Sequence, residues 1–344
     1  MLLMEESIDK KIKQNRQELF SEILEEINND KITDIEWDGR NLWITELGKG
    51  SYISKKELSL KYVENLSIRL SNIMGSSFNR FNPILEANTE ELRISIWHES
   101  RCQSKSIAIR KIPRSLRFNH FSIIDTSYAP VEIITLLENS ITAHLSTVIG
   151  GQPHAGKTEL LKYLSTFIPA DEKVGVYEDN QEIHYRIINP NKKCVEFFVD
   201  ELVSYPDIIK AGLRHNIDWI LLSESRGPEV LDLLNSLSTG AYCMTTMHLD
   251  DVRDMPDRMY NMLGTSNVTD RFVNSIYKYI DLVVLVVCDK FERRRIAQVG
   301  FLTRSNNGNE CTIVYEDGEI TEKAIPEEIM ERFKQYGIKN PYGR

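Results

Sequence analysis

The chain has 344 residues, average apolar content and mixed charge, enough for two domains. Its net charge of −9 argues against a general nucleic-acid coat, which is normally basic. Five scattered cysteines with no Cys-x-x-Cys pair point to reduced thiols in a cytosolic protein and away from a zinc site. No apolar run approaches the ~20 residues that cross a bilayer, and "MLLMEES" is too short and acidic to begin a secretion signal.

Residues 6–29 carry Ile8, Ile12, Leu19, Ile23 and Ile27 near helical spacing, which predicts an amphipathic helix. "ITDIEWDG" and "NLWITEL" follow as strands split by a turn at Asp38–Gly39. Residues 55–75 read as a helix, and "ELRISIWHES" and "KSIAIRKI" alternate like the strands of one hairpin. Residues 30–112 thus make a small α+β domain. A loop-like stretch with Pro113 and Pro130, 113–130, reads as a linker. "PVEIITLLENSITAH" is a helix leading to the short apolar strand "LSTVIG", 145–150. Strands and helices then alternate, which predicts a mostly parallel α/β sheet within a domain over 131–344. "DLVVLVVCDKFERRRIAQVGFLTR", 281–304, reads as strand, charged turn and strand, an antiparallel ending in which "FERRR", 291–295, is read first as a solvated turn, with contact to membrane lipid, nucleic acid or a partner as the alternative. "IPEEIMERFKQYG" opens on Pro and acids and closes on Gly, marking a terminal helix.

Chemistry concentrates at "GGQPHAGKTELLKYL", 150–164. Gly151, Gly156, Lys157 and Thr158 fit G-x-x-x-x-G-K-[ST] between a strand and a helix, the setting a phosphate loop requires. Gly151, Gln152, Pro153, His154, Ala155, Gly156, Lys157, Thr158 and Glu159 are the expected nucleotide-binding stretch. Backbone N–H groups turn inward around an anion, Lys157 reaches β- and γ-phosphates, and the Thr158 hydroxyl ligates Mg²⁺. "HNIDWILLSESRG", 215–227, adds a buried strand with Glu224 just past it, placed to orient water or hold the water shell of Mg²⁺. "VGVYEDNQEIHYR", 174–186, is a second strand ending in acids, Glu178 and Asp179, and "TGAYCMTTMHLDD" sets His248 after an apolar stretch. Trp37, Trp43, Trp97 and Trp219 read as core or interface packing, without the basic groove of a base-stacking platform.

The ordered set resembles the secretion traffic ATPases of type II and type IV systems, including the tight-adherence pilus and conjugative branches. Gly151–Thr158 matches their Walker A box, Glu178–Asp179 their acidic box, and "STGAYCMTTMHLDD" their histidine box. "LRHNIDWILLSESRGPE" is similar to their extended Walker B box, with Arg214, Asp218, Glu224, Arg226 and Glu229 in place. "ITDIEWDGRNLWITELGKGSYIS", "KSIAIRKIP" and "EEIMERFKQYGI" extend the resemblance over most of residues 30–338.

The resemblance implies an α/β fold, a RecA-like P-loop NTPase domain with a smaller N-terminal α+β domain. It implies Mg²⁺-dependent ATP hydrolysis by a homohexameric ring, cytoplasmic and peripheral at the inner face of the membrane. The ring would work on an inner-membrane platform protein, without direct nucleic-acid binding. Glu224 would polarise water, His248 monitor the γ-phosphate, and Glu178 and Asp179 support metal or water, with Thr158 and Glu178 as the metal residues. Arg93, Arg101 and Arg110, on or between strands before the linker, are candidates to neutralise phosphate charge, Arg110 foremost. Three positions depart from the family pattern. Ser223 stands for a glycine, Ser225 for an aliphatic residue, and Ala241 for the first histidine of its box. Ser225 and Ala241 keep open a nucleotide-dependent regulatory or scaffolding subunit with weak hydrolysis. A DNA-translocating RecA-like ATPase is a third reading, opposed by the acidic balance.

Overall fold

The computed structural model describes residues 2–117, 119–125, 127–200, 202–264, 270–305 and 308–343. The chain divides into two compact units: Met1–Arg114 with Asp289–Arg293, and Ser115–Cys288 with Arg294–Arg344. Among the described residues no helix is long and apolar enough to cross a membrane.

In the first unit, β1 (Ile32–Trp37), β2 (Leu42–Glu46), β3 (Gly50–Ile53), β4 (Ile84–Asn88), β5 (Leu92–Trp97) and β6 (Ser106–Lys111) form one sheet in the order β3-β2-β1-β6-β5-β4. Every neighbouring pair is antiparallel. Alternation sets the faces: Ile35, Ile44, Ile94, Ile96, Ile107 and Ile109 point into the core with Leu66 and Leu70 of helix Leu60–Met74, while Glu36 and Arg110 are exposed. That helix begins where the Ser59 side chain accepts from Tyr62 N at 3.1 Å and stops at Gly75, φ 64°.

The helix expected over 6–29 is broken. Segments Leu2–Gln14, Arg16–Leu19, Ser21–Ile23 and Leu24–Asn28 are separated by bends at Asn15 (φ −101°) and Phe20 (φ −103°). Leu19, Phe20, Ile23 and Ile27 are all buried in one core. A straight helix would turn Phe20 about 100° away from Leu19, so the bends bring both to the same side.

The second unit holds β7 (Thr147–Gly150), β8 (Val174–Glu178), β9 (Cys194–Phe198), β10 (Trp219–Leu222), β11 (Tyr242–Met247), β12 (Leu282–Cys288), β13 (Arg294–Ser305), β14 (Gly308–Glu316) and β15 (Glu319–Ile320). Their order is β15-β14-β13-β12-β7-β11-β10-β8-β9. From β12 to β9 neighbours are parallel, and from β12 back to β15 they are antiparallel. Both faces are covered, so the parallel strands are near-continuous apolar runs. Along β10, Trp219 and Leu221 enter one core layer with the helices Val131–Thr142 and Lys157–Ser165, and Ile220 and Leu222 enter the other with Glu229–Leu237. Within the stretch read as a linker, His120–Asp125 is helical, and Ile123 is fully buried in the first of these layers.

The strand order positions the site. β7 has β12 on one side and β11, then β10, on the other. The carboxyl ends of these parallel strands share one edge of the sheet, where ligands of open α/β sheets sit.

Candidate nucleotide-binding site

The turn after β7 is built on two glycines. Gly151 has φ 153° and Gly156 has φ 91°, and a Cβ on Gly151 would lie 2.3 Å from the Val286 carbonyl oxygen of β12. Neither position accommodates a side chain without strain, which is why glycine is required here. Gly156 caps helix Lys157–Ser165, so the loop ends on helix N–H groups without intrahelical partners. Ala155 is buried beneath the loop, while Gln152, Pro153 and His154 are exposed on it. The Gln152 amide donates to the Asp250 carboxylate.

Lys157 is buried, and its Nζ donates to the carbonyls of Gly151 at 2.9 Å and Gln152 at 3.1 Å. Burial holds its ammonium below the ordinary lysine range, opposed by Glu224 and Glu182. A cation turned onto carbonyls inside an anion-shaped loop fits a polyphosphate. Thr158 Oγ1 donates to the Glu182 carboxylate at 3.2 Å. This hydroxyl and carboxylate are hard oxygen donors beside the loop, the chemistry that suits Mg²⁺.

Glu224 and His248 meet over the loop. His248 Nε2 lies 3.1 Å from Glu224 Oε1, and His248 Nδ1 lies 3.4 Å from both Lys157 Nζ and the Gly151 carbonyl oxygen. Arg226 Nη1 is 3.8 Å from Glu224 Oε2, and Arg226 Nη2 pairs with Asp179. Of the residues named from sequence, Lys157, Thr158, Glu224 and His248 therefore converge.

The others are placed differently. Glu178 is buried at the end of β8, where its carboxylate accepts from Glu182 N at 3.0 Å and Ile183 N at 2.9 Å. Burial pushes its carboxyl up to about 8, against those two hydrogen bonds. The loop that Glu178 organises carries Glu182, and it is Glu182 that faces Thr158. Sequence reasoning passed over Glu182 although it lies in the same acidic stretch. Glu159 pairs with Lys162 at 3.1 Å. Arg93 and Arg110 are cross-strand partners on β5 and β6, Arg110 Nε donates to Asp34 at 2.9 Å, and Arg101 lies exposed in the turn between those strands.

The departures from the family pattern are accommodated. The Ser223 hydroxyl is 3.2 Å from the Tyr205 hydroxyl, which also accepts from Asp179 N at 3.0 Å. The Ser225 hydroxyl is 2.9 Å from Thr245 Oγ1. Both added hydroxyls are thus hydrogen-bonded where they are buried. Ala241 precedes β11 and His248 follows it, so a whole strand, ~20 Å at its usual rise, separates them. The imidazole absent at Ala241 is therefore not missing from the phosphate end. Nor is "FERRR" wholly a solvated turn, because Arg294 lies against the loop: its Nε donates to the His154 carbonyl at 3.2 Å.

Sheet order and the glycine loop define a RecA-like domain of the P-loop class, accompanied by a smaller α+β unit. The family model of type II/IV secretion system proteins matches residues 79–334. The chain belongs to that family. An uncharacterised protein of Bacillus anthracis is 28% identical over 246 residues, 70% of this chain and 55% of its own. The chain spans about half the length of the curated relatives it matches. The ATPase DotB of Yersinia pseudotuberculosis has a similar fold, with TM-score 0.63 and 15% identity over 86% of this chain and 80% of that one. The pilus retraction motor PilT, solved with bound ADP, gives TM-score 0.57 and 16% identity over 91% of this chain and 87% of that one.

Proposed function

We propose that the chain is a Mg²⁺-dependent ATPase subunit of a ring-forming motor for secretion, pilus assembly or conjugative transfer. The observation that carries this reading is that Lys157 and His248 both meet the Gly151 carbonyl of the loop while His248 holds the Glu224 carboxylate on its other ring nitrogen. Membership of the secretion family supports it.

Loop amides and Lys157 bind and orient the phosphates, and Lys157 leaves its two carbonyl partners to do so. Bound Mg²⁺ supplies charge neutralisation on the phosphate oxygens, held through Thr158 with Glu182 beside it. Glu224 orients a water for attack on the terminal phosphorus and takes its proton, and the bond to the ADP oxygen breaks. His248 holds the Glu224 carboxylate over the loop. Asp179, tied to Arg226, keeps that arginine near Glu224. Arg93, Arg101 and Arg110 enter the proposal as candidates to neutralise phosphate charge. The working form is a homohexamer in the cytoplasm, peripheral to the membrane, acting on a platform protein and not on nucleic acid.

The test is steady-state ATP hydrolysis with Mg²⁺ by wild type, Lys157→Ala and Glu224→Gln, with oligomeric size measured in the same buffers. Turnover lost in both variants is expected. Nucleotide-driven ring formation without turnover, even with a membrane partner present, would replace the motor with a nucleotide switch.

A further inference from the structure

We propose that Arg294 is a nucleotide-positioning residue acting within its own chain, holding the phosphate loop and contacting the polyphosphate on the flank opposite Glu224. The inference rests on the ATPase reading above and deepens it.

The strands β12 and β13 both close on the loop. From β12, the Val286 carbonyl fills the space where Gly151 lacks a side chain. From β13, Arg294 fills the corresponding space at Gly156: a Cβ there would lie 2.8 Å from Arg294 Cδ and 3.2 Å from Nε. Arg294 Nε also donates to the carbonyl of His154, a loop residue in the left-handed region at φ 65°. One hairpin therefore packs against both glycines that the phosphate loop requires.

The base of the side chain is fixed. Ile296 N donates to the Tyr128 carbonyl at 2.8 Å, and Tyr128 is buried. Burial raises the Tyr128 phenol, with Arg294 acting against that shift and Glu159 adding to it, so all three groups share one neighbourhood at the start of the loop helix. Neighbouring arginines differ. Arg293 pairs with Asp289 at 2.9 Å, and Arg295 is exposed. Only Arg294 of "RRR" is directed at the loop.

Strand order gives the side from which it acts. Glu224 follows β10 and His248 follows β11, on one side of β7, while Arg294 begins β13, on the other. A guanidinium at the helix N-terminus offers forked donors to phosphate oxygens. Because it lies away from Glu224, it meets the phosphates that ATP and ADP share. Its loss should therefore weaken both nucleotides and touch the chemical step less.

The experiment uses the full chain as wild type, Arg294→Ala, Arg294→Lys and Arg295→Ala, measuring Kd for Mg-ADP by titration calorimetry, KM and kcat for Mg-ATP, and melting without nucleotide. Arg294→Ala is expected to raise Kd and KM about tenfold while changing kcat much less, Arg294→Lys to recover part of the loss, and Arg295→Ala to match wild type. Unchanged Kd and KM in Arg294→Ala would overturn the proposal. So would a nucleotide-free melting loss, equal in the Ala and Lys variants, that accounts for the weaker binding. Wild type that binds Mg-ADP without hydrolysing ATP would sink the ATPase reading and leave the Kd comparison to decide Arg294.

Discussion

Glu224 and His248 leave different strands, β10 and β11, yet their carboxylate and Nε2 stand 3.1 Å apart above the glycine loop. In the proposed ATPase this pair aims the carboxylate. Glu224→Gln should lower kcat by ~10²–10⁴ while leaving ADP affinity near wild type. His248→Ala should lower kcat by about tenfold, because it removes orientation and not the base. Single-turnover kinetics beside ADP titration checks both, and a kcat unaffected by either change would remove the pair from the mechanism.

Gly151→Ala sets a Cβ 2.3 Å from the Val286 carbonyl at a φ of 153°. Strain of this kind costs ~1–3 kcal/mol or more. The variant should melt several degrees lower and lose nucleotide binding. Differential scanning fluorimetry with and without Mg-ATP reads both effects.

Glu178 is buried with its carboxyl raised to about 8 from an ordinary 4.5. A raised acid favours folding in its protonated form: that contribution is full below about pH 4.5, fades as pH climbs and is gone above about pH 8. Glu178→Gln keeps an acceptor for Glu182 N and Ile183 N and removes the titration. The variant should therefore gain stability over wild type at pH 9 relative to pH 5, by a few degrees in Tm. Equal differences at the two pH values would show that Glu178 is not proton-linked to folding.

Glu182, not Glu178, touches Thr158. Glu182→Gln should raise the Mg²⁺ concentration for half-maximal turnover by about tenfold, and Glu178→Gln should raise it far less. Mg²⁺ titrations of ATPase rate at saturating ATP distinguish the two. The reverse ranking would place the metal beside Glu178 instead.

Tyr205→Phe removes the hydroxyl that accepts from Asp179 N and meets Ser223. The buried Ser223 hydroxyl and the half-buried Asp179 N–H lose this partner, and leaving the buried group unsatisfied costs about 1–3 kcal/mol. Urea unfolding should show that loss, and Ser223→Gly in the same background should add less than it does alone.

What the sequence determined by itself is local. Glycines at 151 and 156 were legible because their backbone angles bar side chains, and the apolar run before Glu224 because a parallel strand buried on both faces favours near-continuous apolar residues. Lys157 and Thr158 followed from the loop motif and Glu224 from its place after a buried strand, whereas His248 followed only from the resemblance to the traffic-ATPase boxes. The tertiary structure decided which groups face one another. Glu178 and Glu182 are four positions apart in one acidic stretch, and only the loop's turn sends the first to backbone amides and the second to Thr158. Ala241 and His248 belong to one motif but occupy opposite ends of β11. Arg294 reads as one charge in a basic turn, and it lies against Gly156 because β13 pairs with β12 and β12 with β7. Local spacing carries backbone strain and periodic burial, whereas contacts between distant segments depend on strand order, which no short pattern encodes.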